Sequence, residues 1–246
     1  MENVHLIGLS RQSALRNQLD VVANNMANIN TTGFKSQRLL FEEYLMPVAE
    51  ATEFQTPDET LSYVLDYQSI TDFDTGAFKM TGNDLDLAIE GEGFFVVQMG
   101  DGTEAYTRDG AFVIDQNGQL VTSDGRPVLT TGGPITFSTE DGSVEIAKDG
   151  TISTKLGIRG VIRVASFEDP QELEKQGDNL YRGENPGIPQ RFNVVQGALE
   201  RSNVEGVYQV TQLIEVTRAY ESITKMLKDV NDLRQQAIQV LGKLEA

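Results

Sequence analysis

Residues 213–244 read LIEVTRAYESITKMLKDVNDLRQQAIQVLGKL. Leu213, Val216, Tyr220, Ile223, Leu227, Val230, Arg234, Ala237, Leu241 and Leu244 follow one another at strict three-four spacing, with Arg234 the single polar member. That period belongs to an α-helix with one apolar seam. A helix from Val207 to Leu244 would be ~57 Å long at 1.5 Å per residue. The interior of an ordinary domain this size has no room for it, so the pattern predicts coiled-coil-like packing over 206–246. Met226, Leu233, Ile238 and Val240 widen the stripe beyond a two-stranded seam, so more than one neighbour is expected on this helix.

The other end of the chain carries a matching seam. Leu15, Leu19, Val22, Met26 and Ile29 recur at spacings of four and three, and Gly33 is placed to end the helix in left-handed geometry. Residues 1–35 are read as the N-terminal helix. Its last turns read ANNMANINTTGFK (residues 23–35), rich in asparagine, a mediocre helix former whose amide competes for backbone hydrogen bonds. In the frame of the seam Asn24 and Asn28 point away, Asn25 flanks it, and Asn30 lies near the helix end.

Between the helices the texture changes. Asp-Gly, Asn-Gly or Gly-Gly pairs stand at 101–102, 109–110, 117–118, 124–125, 132–133, 141–142 and 149–150. Such pairs are strong hairpin signals because type I′ turns need positive φ. The stretches between them, AFVI, QLVT, PITF and VEIA, favour strand. An antiparallel β domain is expected over 82–168. Residues 36–81 read as an extended linker with one strand, LSYVLDYQ (61–68), and 169–205 as a return connector. The fold class is α+β, dominated by β, with the two terminal helices packing as a coiled-coil-like pair around a central antiparallel β domain.

Composition removes several kinds of chemistry. The formal charge of −17 over 246 residues opposes binding to nucleic acid or to anionic lipid. The absence of cysteine excludes disulfides and thiolate chemistry, and one histidine, His5, excludes a histidine-rich metal site. GEGFFV (91–96) lacks the third glycine and the following helix of a dinucleotide fingerprint. DQNGQLVTSD (115–124) has Val113 where a calcium loop wants an acid, and a hairpin turn explains it. No cofactor, no metal and no catalytic residue are expected. No apolar run reaches the ~20 residues of a membrane span, and the N-terminus has no secretory signal, so a soluble protein made in the cytoplasm is expected, with no membrane insertion.

The motifs resemble the flagellar rod and hook axial family. Ala23, Asn24, Asn25, Ala27 and Asn28 match its A-N-N-x-A-N core, and Thr32, Gly33, Phe34 and Lys35 match the T-x-G-F/Y-K that follows. TGNDLDLAIEGEGFFVV, YTRDGAFVIDQNGQLVTSDGRPVL, VVQGALERSNV and IEVTRAYES are similar to its β-domain and closing segments, although Ser222 and Ile223 depart from the family pattern. A segment of the L-P-S-G-x-x-x-G-x-G type, carried by distal-rod members, is missing; this points to a proximal-rod member, with a distal-rod subunit as the alternative. An enzyme with a β-domain active site and a coiled-coil tail is the reading from another class.

The resemblance implies a structural subunit of the bacterial flagellar basal body, in the periplasmic rod, which carries torque from motor to hook. It implies export through the flagellar type III apparatus without a cleaved signal peptide, and partners among other rod proteins and copies of itself. The terminal helices are then expected to form the inner tube, with Leu15, Leu19, Val22, Met26, Ile29, Leu213, Val216, Tyr220, Ile223, Leu227, Val230, Leu241 and Leu244 as subunit interface. Asn24, Asn25, Asn28, Gly33 and Phe34 are expected to form a second assembly contact. In the free monomer the β domain is expected to be folded and the termini largely disordered, since isolated helices are marginal in water.

Overall fold

The computed structural model describes residues 2–46 and 61–244, with side chains over 6–40 and 68–239. The chain divides into two units, one of residues 1–27, 37–70 and 205–246, the other of 28–36 and 71–204.

The first unit holds helix α1, Glu2–Ala27, helix α2, Gly206–Leu244, and two paired strands, Gln37–Met46 and Leu61–Thr71. The helices run antiparallel. Gly8 meets Leu227, Gln12 donates to Thr224 at 3.1 Å, and Asn25 donates to Gln209 at 3.4 Å, so the order of contacts reverses along the pair. Gly8 is a close approach: a Cβ there would stand 2.6 Å from Leu227 Cδ2. Ala14 and Val22 of α1 and Val216 and Leu227 of α2 are buried. Among the described residues no helix is long and apolar enough to cross a membrane.

Helix α1 stops at Ala27, earlier than its seam suggests. A turn follows in which the Thr31 N–H donates to the Asn28 carbonyl. Asparagine and threonine give the backbone alternatives to helical bonds, and the run NINTT concentrates them. Gly33 is left-handed, with φ +66°, but it lies six residues beyond the helix and does not cap it.

The second unit is antiparallel β. Its largest sheet has five strands in the order Val164–Ala165, Phe94–Gln98, Glu104–Thr107, Leu180–Arg182, Glu174–Gly177. Phe192–Gln196 pairs with Leu87–Gly91, and Ala198–Glu200 with Phe78–Met80. Glu145–Ile146, Thr151–Thr154 and Gly157–Val161 make a three-stranded sheet. The strand FFVV is buried on both faces, because alternate side chains point to opposite sides. Phe95 and Val97 join Leu87, Ile89, Phe112, Leu120, Ile152 and Ile162 in one cluster. Phe94 and Val96 join Tyr106 and Tyr181 in another, where Phe73 meets Phe94 edge-on at 5.6 Å.

Turn chemistry reads well where the two strands it joins are neighbours in the chain. Asn117-Gly118 joins Phe112–Ile114 to Leu120–Thr122, with Gly118 at φ +81°. The pair Asp109-Gly110 instead has other work, described below. Residues 169–205, read from sequence as a connector, contain four strands, from Glu174–Gly177 to Ala198–Glu200. Among the described residues of 36–81 there are three, Gln37–Met46, Leu61–Thr71 and Phe78–Met80, where the pattern gives one. Phe78–Met80 and Glu174–Gly177 are mostly exposed; the first is a strand because the distant segment Ala198–Glu200 pairs with it, the second because it forms a hairpin with the following strand Leu180–Arg182.

Candidate functional site

The motif segment TTGFK (31–35) lies inside the β unit, and every one of its last four residues is tied down. The Gly33 N–H donates to the Glu200 carbonyl at 2.9 Å. A Cβ on Gly33 would come within 2.4 Å of the backbone of Arg108 and Asp109, so only glycine fits, by contact as well as by φ. Thr32 Oγ1 donates to Asp109 at 2.7 Å, and the Thr32 carbonyl accepts from Asn179 at 2.9 Å. Phe34 is 2% exposed, with the Lys175 ammonium 4.4 Å from its ring centroid.

Lys35 completes the segment as a fully buried cation. Its Nζ donates to Glu200 Oε1 at 2.6 Å and to the Asp74 carbonyl at 2.7 Å. Glu200 Oε1 also accepts from the Gly76 N–H at 2.8 Å, and Oε2 accepts from Arg108 Nη1 at 3.3 Å. Arg108 donates further to the Ile89 and Gly91 carbonyls and lies over the Phe94 ring. Two cations and one carboxylate thus share a buried site, at side-chain exposures of 1%, 4% and 0% for Lys35, Arg108 and Glu200. Burial lowers the Lys35 pKa, and Glu200 opposes that shift; burial likewise lowers Arg108, again against Glu200. Asp109 is raised, first by burial, against its bonds from Thr32 and Ala111. Removing one partner from such a group leaves an uncompensated buried charge, at a cost of about 3–5 kcal/mol.

Beside this tie, Asn203 closes the same seam of backbone. Its Oδ1 accepts from the Ser36 N–H at 2.8 Å, and its Nδ2 donates to the Asp72 carbonyl at 2.8 Å. Segments 31–36, 72–76, 107–109 and 200–203 are therefore bound into one hydrogen-bonded cluster. The arrangement ties these segments together. Its cations face one carboxylate and carbonyl oxygens, and among the described residues no group of His, Cys, Asp or Glu could hold a metal.

The expected interface residues divide into two sets. Val22, Val216 and Leu227 are buried, and Leu15, Leu19, Met26, Leu213, Tyr220, Ile223 and Val230 are half-buried, as is Ile29 beyond the end of α1. The side chains of Leu241 and Leu244 fall outside those described. The apolar residues left outward on α2 are others: Val207 is 86% exposed, Leu233 64% and Ile238 64%.

The expected second contact of Asn24, Asn25, Asn28, Gly33 and Phe34 is mostly turned inward. Asn24 is exposed and Asn28 half-buried, but Asn25, Gly33 and Phe34 are buried and present no surface to a neighbour. Asn25 acts as a peptide mimic: Oδ1 accepts from the Gln37 N–H at 3.0 Å and Nδ2 donates to the Gln37 carbonyl at 2.7 Å. Sequence reasoning passed over Lys35, Arg108 and Glu200 as functional residues. The signal it offers is that TTGFK, YTRDG and GALER each bring a cation or carboxylate inside a motif otherwise built from turns and small residues.

Comparison with known proteins accounts for the same segments. The family described as "Flagella basal body rod protein" matches residues 6–35, "Flagellar hook protein FlgE/F/G D1 domain" matches 88–154, and "Flagellar basal body rod FlgEFG protein C-terminal" matches 195–240. The chain is 42% identical over 248 residues to the flagellar basal-body rod protein FlgF of Caulobacter vibrioides, covering 99% of this chain and 100% of the relative. It is 34% identical to FlgG of Bacillus subtilis, over 95% and 97% of the two chains, and 33% identical to FlgF of Rhizobium meliloti, over 96% of each. With three matches in order along the sequence and relatives aligned from end to end, this chain belongs to the flagellar basal-body rod protein family.

Proposed function

We propose that this chain is a subunit of the proximal rod, assembling with copies of itself and with other rod proteins through α1 and α2 after passing the flagellar type III export apparatus. Family membership makes it a structural protein of the flagellar basal body and not an enzyme. The 42% identity to a relative named FlgF, and the missing L-P-S-G-type segment, support the proximal place over the distal one.

The observation that carries the assembly reading is the set of apolar side chains that α2 leaves exposed. Val207, Val210, Ile214, Leu233 and Ile238 are each 45% exposed or more, Leu233 and Ile238 flanking the seam on its two sides and the others near the start of the helix. Exposed apolar area of this kind marks an interaction surface, and further helices packed coiled-coil-like beside the seam would give the long helix the neighbours its widened stripe calls for. A rod in the periplasm that transmits torque needs subunits joined along stiff elements, and α2 supplies 39 residues of continuous helix.

The test is a pair of outward substitutions, Leu233→Asp and Ile238→Asp, introduced together. Motility and completed rods should be lost while circular dichroism shows the β unit folded. Cells that swim with normal rods would remove α2 as the contact. Labelling the protein in isolated basal bodies separates the two placements: label beside the motor supports the proximal rod, and label beneath the hook supports the distal one.

A further inference from the structure

Lys35, Asp74 to Gly76, Arg108 and Glu200 are far apart in sequence and meet at one carboxylate. Glu200 ends the strand Ala198–Glu200, which pairs with Phe78–Met80, and its own carbonyl receives the Gly33 N–H. Both cations stand within 3.3 Å of its oxygens. Their remaining partners are carbonyls of Asp74, Ile89 and Gly91, which accept hydrogen bonds and bring no charge. Among the described residues Glu200 is the sole carboxylate hydrogen-bonded to them; Asp72 and Glu92 act on Lys35 and Arg108 more weakly, from farther off. Before it docks, closing the unit would bury two like charges together, and burial of an unpaired charge is strongly unfavourable.

We propose that Glu200 is a folding checkpoint: the unit of residues 28–36 and 71–204 closes only when the segment carrying this carboxylate docks. Chains are made from the N-terminus, and domains fold as units. A growing chain therefore keeps this unit open until residue 200 is available, although most of its strands and all of its first cluster of core residues precede that point. The proposal stands on the buried tie and is independent of where in the rod the protein assembles.

Two experiments on the full chain test it. In refolding followed by pulsed amide exchange, amides of Phe94–Gln98 and Glu104–Thr107 should gain protection in the same phase as those of 199–201. Protection of the first two strands in a phase tenfold or more ahead of 199–201 would overturn the proposal.

The second experiment is equilibrium unfolding of Glu200→Gln, alone and with Lys35→Met. The single variant should lose at least a hundredfold in folded-to-unfolded ratio at pH 7, and adding Lys35→Met should restore at least tenfold. The single variant should also gain stability between pH 7 and pH 10. Lys35, facing Arg108, residue 200 and Asp72, would there bind fewer protons folded than unfolded, so raising pH favours the folded state. A single variant within threefold of wild type, a double variant no better than the single, or a pH profile parallel to wild type would each sink the checkpoint. A residue that merely fills space would produce the parallel profile.

Discussion

Gly33 shows how a residue can be singled out for one reason and be needed for another. Its position after a periodic stretch suggests a helix cap, and its φ is indeed positive. The larger constraint is the Arg108 and Asp109 backbone lying where a side chain would go. Gly33→Ala should therefore destabilise the β unit by at least the ~1–3 kcal/mol of a strained backbone position, read as a lowered urea midpoint; an unchanged midpoint would mean the two segments are not in contact. Asp141 gives a test by pH. Its carboxylate accepts from Arg159, the Ser138 N–H and Thr154, and these bonds, Arg159 first, hold its pKa well below the ordinary value of 3.8. A depressed carboxylate stabilises the fold above its ordinary range and loses that contribution as pH falls through its folded value. Asp141→Asn should accordingly be less stable than wild type at pH 7, with the gap narrowing below about pH 4. A gap that persists unchanged into acid would rule out the charge as its cause.

At the scale of elements, the helices were legible and the strand partners were not. The three-four spacing in α2 is a local property, and the helix covers Gly206–Leu244 much as the periodicity reads. The strands from Leu180 to Glu200 are short, and their pairing to Glu104–Thr107, Leu87–Gly91 and Phe78–Met80 is set by edges far away in the sequence. Asn25 belongs to this scale too, since its amide joins α1 to the strand Gln37–Met46. Asn25→Ala should speed exchange of the Gln37 amide at least tenfold, with a loss of about 1–3 kcal/mol for leaving buried backbone groups unpaired. Unaltered Gln37 exchange would show that the mimic bonds are not what protects it.

For the whole molecule, charge and apolar surface oppose each other. Copies carrying −17 repel, while the exposed apolar side chains of α2 attract. Between about 0.01 M and 1 M salt the screening length falls from about 30 Å to 3 Å, so raising salt should promote self-association of the purified protein, followed by sedimentation. Dissociation on adding salt would mean that ion pairs, not the apolar side chains of α2, hold copies together. The sequence by itself determined the two helices, the turns such as Asn117-Gly118 and the family to which the chain belongs, because period, glycine chemistry and motif order are carried by neighbouring residues. Only the tertiary structure decided that Lys35 meets Glu200 across 165 positions, that Arg108 joins them, and that Asn25, Gly33 and Phe34 face inward. The pairing of a buried charge has no local signature: what neutralises it depends on which distant carboxylate the fold brings within hydrogen-bonding reach.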